Sequence, residues 1–360
     1  MTSLHSGQIR VAFWNLQNLF DIEPSPIASE LGFTTIRGWD RRAFEAKVRN
    51  LASVIRGLFD NDGPDLIGLA EVENVEVTQY LADALGRDDY VVVTASHSQI
   101  TATGTALIYS KRVFDEESVR VRSHLVHLRF PTCDILEVQL TTRLNRRNLS
   151  VLVNHWPSPR EQNSDAFRQT VASYCANVIE QHLKLNRRDY VELADTELSR
   201  HQLDNRWNCN LLLMGSFNDE PWAKSLHQIL NAGYSLRAMQ RSLPFSLNTL
   251  PSWRAYALCR PELFNPTWSL LAHPDQGTCV DVTGQRAMSI YDQLMFSRGL
   301  VTGGSGLRVA TNTQGVPLVD CLSAELLTDE MGHPIPFSCD SGGGFSDRLP
   351  VGLTLRICQP

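Results

Sequence analysis

The chain has 360 residues, 42% of them hydrophobic, 20% charged and 8% aromatic. That composition excludes a collagen, a coiled coil and a disordered tail, and it is enough for a large buried core. Thirty-three Lys and Arg against 39 Asp and Glu give a formal charge of -6, which argues against a highly basic nucleic-acid coat protein but leaves room for a local basic groove.

In chain order, residues 9–20 (IRVAFWNLQNLF) read as a buried strand running into asparagine-bearing loop chemistry, and Pro24 and Pro26 then break regular structure. Asp40 is placed to cap a helix whose Phe44, Val48, Leu51, Ile55 and Leu58 form one apolar stripe. Residues 65–74 (DLIGLAEVEN) are a second core strand ending in acids. A short helix around 77–85 precedes strands at 90–95 and 105–110. Strand-like segments follow near 121–140 and 149–155, with RLNRRN at 143–148 as a basic hairpin turn. The longest amphipathic helix runs from Ser164 to about Leu185. Residues 186–209 are polar and read as a surface excursion. Residues 211–222, 289–297 and 347–357 supply the late strands, and 301–345 is a turn-rich stretch with two cysteines. Strands interleaved with few helices, without a regular βαβ rhythm, predict mixed sheets flanked by helices. With no Gly/Ser/Pro linker, a single domain over 1–360 is expected, its core spanning about 9–357.

The eight cysteines form no CxxC pair and no zinc spacing with histidine. The N-terminus lacks an apolar signal region, and no apolar run reaches the ~18 residues of a membrane span. A cytoplasmic protein is the expectation.

Polar residues cluster where core strands surface: Asn15, Glu71, His155, Asn218 with Asp219, and Asp292 with Gln293, while Asp347 stands just ahead of the last strand. Short polar groups at one rim of a sheet are costly to leave dry and unpaired, and carboxylates, amides and a histidine suit a hard cation and a phosphate ester. WNLQNLF (14–20), LAEVEN (69–74), NHWPS (154–158), GSFND (215–219), YDQLMFS (291–297) and FSDRLPV (345–351) follow one another in this order. The set resembles the endonuclease/exonuclease/phosphatase superfamily, the DNase I-like and exonuclease III-like group, in its bacterial form.

The resemblance implies a four-layer α/β sandwich of two mixed sheets packed face to face with helices outside. It also implies Mg²⁺ or Mn²⁺ held by Asn15, Glu71 and Asp347, with Glu71 a direct ligand. His155 would lie against the scissile phosphate, Asn218 would orient the phosphate or the attacking water, and Asp292 would belong to the same cluster. Two positions depart from the family pattern. Ser216 stands where the family has an aspartate that activates water, and Arg348 where it has a histidine after Asp347. Serine is a poor base, and arginine supplies charge but no proton transfer. Two readings therefore stay open: a slowed Mg²⁺-dependent phosphodiesterase acting on nucleic acid, or an inactive member that binds a phosphate-bearing ligand or partner. Small phosphodiesters and phospholipid head groups fit the same chemistry. Asp219 is a candidate replacement acid, Arg168 a candidate orienting group, and Arg143, Arg146 and Arg147 either a phosphate-binding loop or a solvated hairpin tip. Trp14, Trp156 and Trp222 each adjoin a motif, where packing competes with base stacking.

Overall fold

Strand parity organises this protein, as seen in a computed structural model describing residues 7–23, 29, 32–95, 103–126, 132–160, 162–194, 199–241, 251–272, 276–280 and 288–358. Pro24 and Pro26 lie outside the described residues. Along β1 (Gln8–Leu19), Ile9, Val11 and Phe13 enter one apolar cluster while Ala12, Trp14 and Leu16 enter another. This is the period-2 alternation of a strand buried on both faces.

The first sheet joins β1 to β2 (Leu66–Val72) in parallel, then to β4 (Gly104–Ser110) and β3 (Tyr90–Thr94). On its other side β1 pairs antiparallel with β16 (Val351–Ile357), which also carries β14 (Leu307–Val309) and β15 (Asp320–Cys321). The second sheet runs β5 (Arg120–His124), β6 (Ile135–Thr141), β7 (Asn148–His155), β8 (Leu211–Ser216), β13 (Asp292–Ser297), β10 (Leu263–Phe264) and β9 (Ala232–Gly233). A short ribbon of β11 (Cys279–Val280) and β12 (Met288–Ser289) lies beside them.

The sheets pack face to face. Phe13, Leu66 and Leu353 from the first meet Val151, Leu212 and Leu294 from the second in one buried apolar cluster. Helix α1 (Arg41–Gly57), capped by Asp40 accepting from Ala43 N at 2.9 Å, and α2 (Val75–Ala84), capped by Asn74, cover the outside of the first sheet. Helix α3 (Ser164–Leu183) covers the second through Val171, Cys175 and Ile179. The four layers expected from the sequence are thus present.

The polar surface excursion expected at 186–209 carries regular structure. It contains α4 (Arg187–Ala194) and α5 (Ser199–Trp207), held by Tyr190, Leu203, Trp207 and Tyr256 in a satellite cluster. Sparse apolar residues hid both helices, whose stability comes from this tertiary packing. No helix among the described residues is long and apolar enough to cross a membrane.

Candidate functional site

The inward-facing rows of four strands end at one rim. In the first sheet, 9, 11 and 13 lead to Asn15; in the second, 149, 151 and 153 lead to His155, and 212 and 214 lead to Ser216. β13 starts its row at Asp292, ahead of Leu294 and Phe296. Ser216 is the register partner of both His155 and Asp292, so these three stand in a row across adjacent strands. Asn15 faces them across the cleft, its Nδ2 lying 3.4 Å from Ser216 Oγ.

Glu71 breaks the parity. Ala70 points inward and Val72 outward, so a regular strand has no place for a second inward side chain between them. The pairing slips here against both neighbours, between Asn15 and Leu19 on β1 and between Ala70 and Val72 against β4. Glu71 takes φ 61°, and Gln17 and Asn18 opposite take 54° and 59°. The left-handed region is costly for such residues, and a bulge beside a cleft commonly re-aims a side chain.

The bulge turns the Glu71 carboxylate toward three donors. Asn15 Nδ2 donates to Oε1 at 2.8 Å, Asn18 N donates to Oε2 at 2.9 Å, and His155 Nε2 lies 3.4 Å from Oε1. Burial opposes ionisation of Glu71, but the bonds from His155 and Asn15 overcome it and lower its pKa to about 2. Burial likewise opposes a charged His155, yet Cys133 and Glu71 outweigh it and raise the imidazole to about 10. The raised pKa favours the imidazolium and makes His155 a poorer proton acceptor than a free imidazole. Cys133 Sγ lies 3.5 Å from His155 Nδ1 and donates to Thr103 O at 3.1 Å. No motif announced Cys133, which reaches the site from a loop before β6.

The opposite wall is built around Arg348. Its Nη2 donates to Asn218 Oδ1 at 3.0 Å, its Nη1 lies 3.4 Å from Asp292 Oδ2, and its guanidinium sits 5.6 Å over the Tyr291 ring. Burial works against the charge, but Cys279, Asp292, Asp347 and Glu71 all favour it, so Arg348 stays protonated. Asp292 is fully buried, and burial lifts its pKa against the pull of Arg348. Its Oδ1 has no hydrogen-bond partner among the described residues. Asn218, at φ 53°, donates to Trp156 O at 2.7 Å, which turns its oxygen to Arg348. Asp347 is half-exposed at the rim, 3.8 Å from Arg348 Nε, and burial together with Glu71 and Asp292 raises its pKa despite Arg348.

The two walls are tied together: Ser346 Oγ donates to Asn15 O at 2.7 Å, and Trp14 Nε1 donates to Arg348 O at 2.9 Å. Trp14 and Trp156 are packing residues, both buried, while Trp222 is exposed. Asp219 is paired with Arg168 Nε at 2.8 Å and bonded by Ser225 Oγ. Arg168 itself is buried and bridges Asp219 to Pro157 O; it is not a solvated helix arginine. Arg143 Nε donates to Lys111 O at 2.7 Å and Arg146 pairs with Asp115, at the end of β7 opposite His155. At ~3.3 Å per residue, the length of β7 separates that hairpin from the cleft.

Hard oxygen donors fit a divalent ion of the Mg²⁺ class. Both Glu71 oxygens keep lone pairs beyond their amide donors, and Asp292 holds an orphaned buried oxygen. Among the described residues no three His, Cys, Asp or Glu side chains form a closed metal cage. Mg²⁺ does not need one, since it is commonly held by one or two carboxylates and substrate phosphates. Asn15 holds Glu71 through Nδ2 and accepts from Gln17 N through Oδ1 at 3.0 Å, which leaves that oxygen a second lone pair.

Residues 10–356 match the family model described as "Endonuclease/Exonuclease/phosphatase family". Among solved structures, an endonuclease/exonuclease/phosphatase family protein from Bacteroides thetaiotaomicron aligns with TM-score 0.53 at 12% identity, covering 98% of this chain and 99% of that one. D. rerio TDP2 complexed with a single-strand DNA product aligns with TM-score 0.51 at 12% identity, over 97% and 99%. A mannosyl-6-phosphatase from Bacteroides thetaiotaomicron gives 0.51 at 11%, over 96% and 99%. No curated protein matches by sequence.

Proposed function

The chain belongs to the endonuclease/exonuclease/phosphatase family, and we propose that its cleft binds a phosphodiester and hydrolyses it slowly with Mg²⁺ or Mn²⁺, the substrate being nucleic acid. The observation carrying this reading is one cleft with basic groups on both walls: His155 lies 3.4 Å from the Glu71 carboxylate, and Arg348 opposite bonds Asn218 Oδ1 at 3.0 Å and lies 3.4 Å from Asp292. Structural neighbours include one complexed with a single-strand DNA product and a mannosyl-6-phosphatase, which supports a phosphate ester as the ligand class.

Glu71, with Asp347 at the rim, would hold a divalent ion, which would supply Lewis-acid polarisation of the phosphate. The chain's own groups do the rest. His155 and Arg348 place positive charge beside the phosphoryl oxygens, where charge accumulates as the ester is displaced. Asn218 donates one amide proton to Trp156 O and accepts from Arg348 through Oδ1, so it positions Arg348 and keeps a second N–H for the phosphate or water. Ser216, between His155 and Asp292, accepts no proton from water at neutral pH, and this is the source of the slow rate.

A specific observation favours the second reading, a binder without turnover. Arg348 already bonds Asn218 and Asp292, and no carboxylate stands at position 216. Hydrolysis of plasmid DNA and of a generic phosphodiester, with Mg²⁺ or Mn²⁺ and with chelator, separates the two. Turnover by the natural chain that Glu71→Ala and chelator abolish supports the enzyme. Activity only in a Ser216→Asp, Arg348→His double variant, with a gain of about 10²-fold or more, overturns it in favour of the binder.

A further inference from the structure

Lys47 lies on α1, away from every motif, yet it is only 1% exposed. Its Nζ donates to Gln17 O at 2.6 Å and Asn18 O at 3.1 Å. The rings of Phe33, Trp39 and Phe337 surround it at 5.8, 5.7 and 5.6 Å. Burial pulls its pKa down to about 8 even though Glu71 and Asp347 favour the charge, so the ammonium is kept at a cost.

The two carbonyls that accept from it belong to the left-handed residues of the β1 bulge. The amides of those same residues face the site: Gln17 N donates to Asn15 Oδ1 at 3.0 Å, and Asn18 N donates to Glu71 Oε2 at 2.9 Å. The bulge therefore has its carbonyls on one side, toward Lys47, and its amides on the other, toward Glu71. Without a buried donor, neighbouring carbonyls in this costly conformation lose the contact that offsets it.

The other side of Lys47 meets the segment that carries Arg348. Phe337, whose ring faces the ammonium, donates its N–H to Gln17 Oε1 at 3.1 Å. Asn50, one turn further along α1, donates to Gly342 O and Gly344 O, each at 3.0 Å. The chain then passes to Ser346, bonded to Asn15 O.

We propose that Lys47 is a positioning residue that locks the Gln17–Asn18 bulge and couples the Glu71 wall of the cleft to the Asp347–Arg348 wall. The coupling itself stands on geometry; its consequence for metal and phosphate binding rests on the function proposed above. Lys47→Met keeps the stem within the aromatic cage but removes the donor, and Lys47→Arg restores a cation with several donors.

Hydrogen exchange is to be followed by mass spectrometry on the full chain, with Mn²⁺ titration calorimetry alongside. In Lys47→Met, exchange should rise at least tenfold in peptides covering 15–20 and 335–348, and not in those covering 51–58 or 351–357. Mn²⁺ affinity should fall at least tenfold, and Lys47→Arg should recover both to within threefold. Unchanged protection at 15–20, or a rise spread evenly over the chain that Lys47→Arg does not reverse, overturns the proposal. A natural chain that binds no Mn²⁺ removes the metal from the proposed function, while the exchange result still decides whether Lys47 locks the bulge.

Discussion

Removing the Arg348 guanidinium while keeping an apolar stem, as in Arg348→Met, tests whether the cleft is built on a buried charge pair. Asp292 is fully buried and already carries an orphaned Oδ1. The substitution deletes the 3.0 Å bond to Asn218 Oδ1 and the 3.4 Å contact with Asp292 Oδ2, leaving a carboxylate with no cation against it. A charged hydrogen bond contributes about 1.5–3 kcal/mol, and stripping one partner from a buried pair costs about 3–5 kcal/mol in total.

The pH dependence follows from the raised pKa of Asp292. Between its unfolded value, about 3.9, and its higher folded value, the native state holds a proton that the unfolded chain has released. This contribution to stability therefore falls as pH rises through that window. Loss of Arg348 moves the upper edge of the window further up, so the deficit of Arg348→Met relative to the natural chain shrinks toward acid pH. Denaturant unfolding at pH 7 and pH 5 measures this, with Asp292→Asn as the second arm of a double-mutant cycle. In the Asp292→Asn background the cost of Arg348→Met should drop by more than half. A cost below about 1 kcal/mol at pH 7, or one that Asp292→Asn leaves unchanged, refutes the reasoning.

His155 sets a second pH dependence, of opposite origin. Its imidazolium is stabilising, fully so below the ordinary value of 6.5, and the contribution is lost as pH rises toward about 10. Thermal melts from pH 6 to 10 should show the natural chain losing stability and His155→Gln changing less; parallel curves would count against a His155 whose charge is favoured by Cys133 and Glu71. Gly215→Ala tests the packing beneath the site. A Cβ there meets Asn154 O at 2.4 Å, and the strands carrying His155 and Ser216 have to part. Overpacking of this kind costs about 1–3 kcal/mol, readable by denaturant unfolding, and a neutral result would show that β7 and β8 yield freely.

Much of this was legible in the residues. The apolar stripe from Phe44 to Leu58 marks α1 because a helix buries one face, and Asp40 marks its start because its carboxylate satisfies an orphaned amide. The alternation along β1 and β7 places Asn15 and His155 at the ends of inward-facing rows, since successive strand residues face opposite ways. The polar helices α4 and α5 escaped because their own apolar residues are few and their partner Tyr256 is distant in sequence.

What the sequence determined by itself is the set of chemical groups and the strands and helices that carry them, since both follow from residue identity and local periodicity. It also contained the two departures, Ser216 and Arg348, and with them the question of turnover. The tertiary structure alone decided how those groups are spent. Glu71 reaches the cleft only because β1 and β2 slip in register, a property of strand pairing with no local sequence signature. Arg348 became the partner of Asn218 and Asp292, Asp219 was paired with Arg168, and Cys133 came to rest against His155. Each of these contacts joins residues from different elements, and the free energy of a buried charge depends on what folding brings within a few ångströms of it.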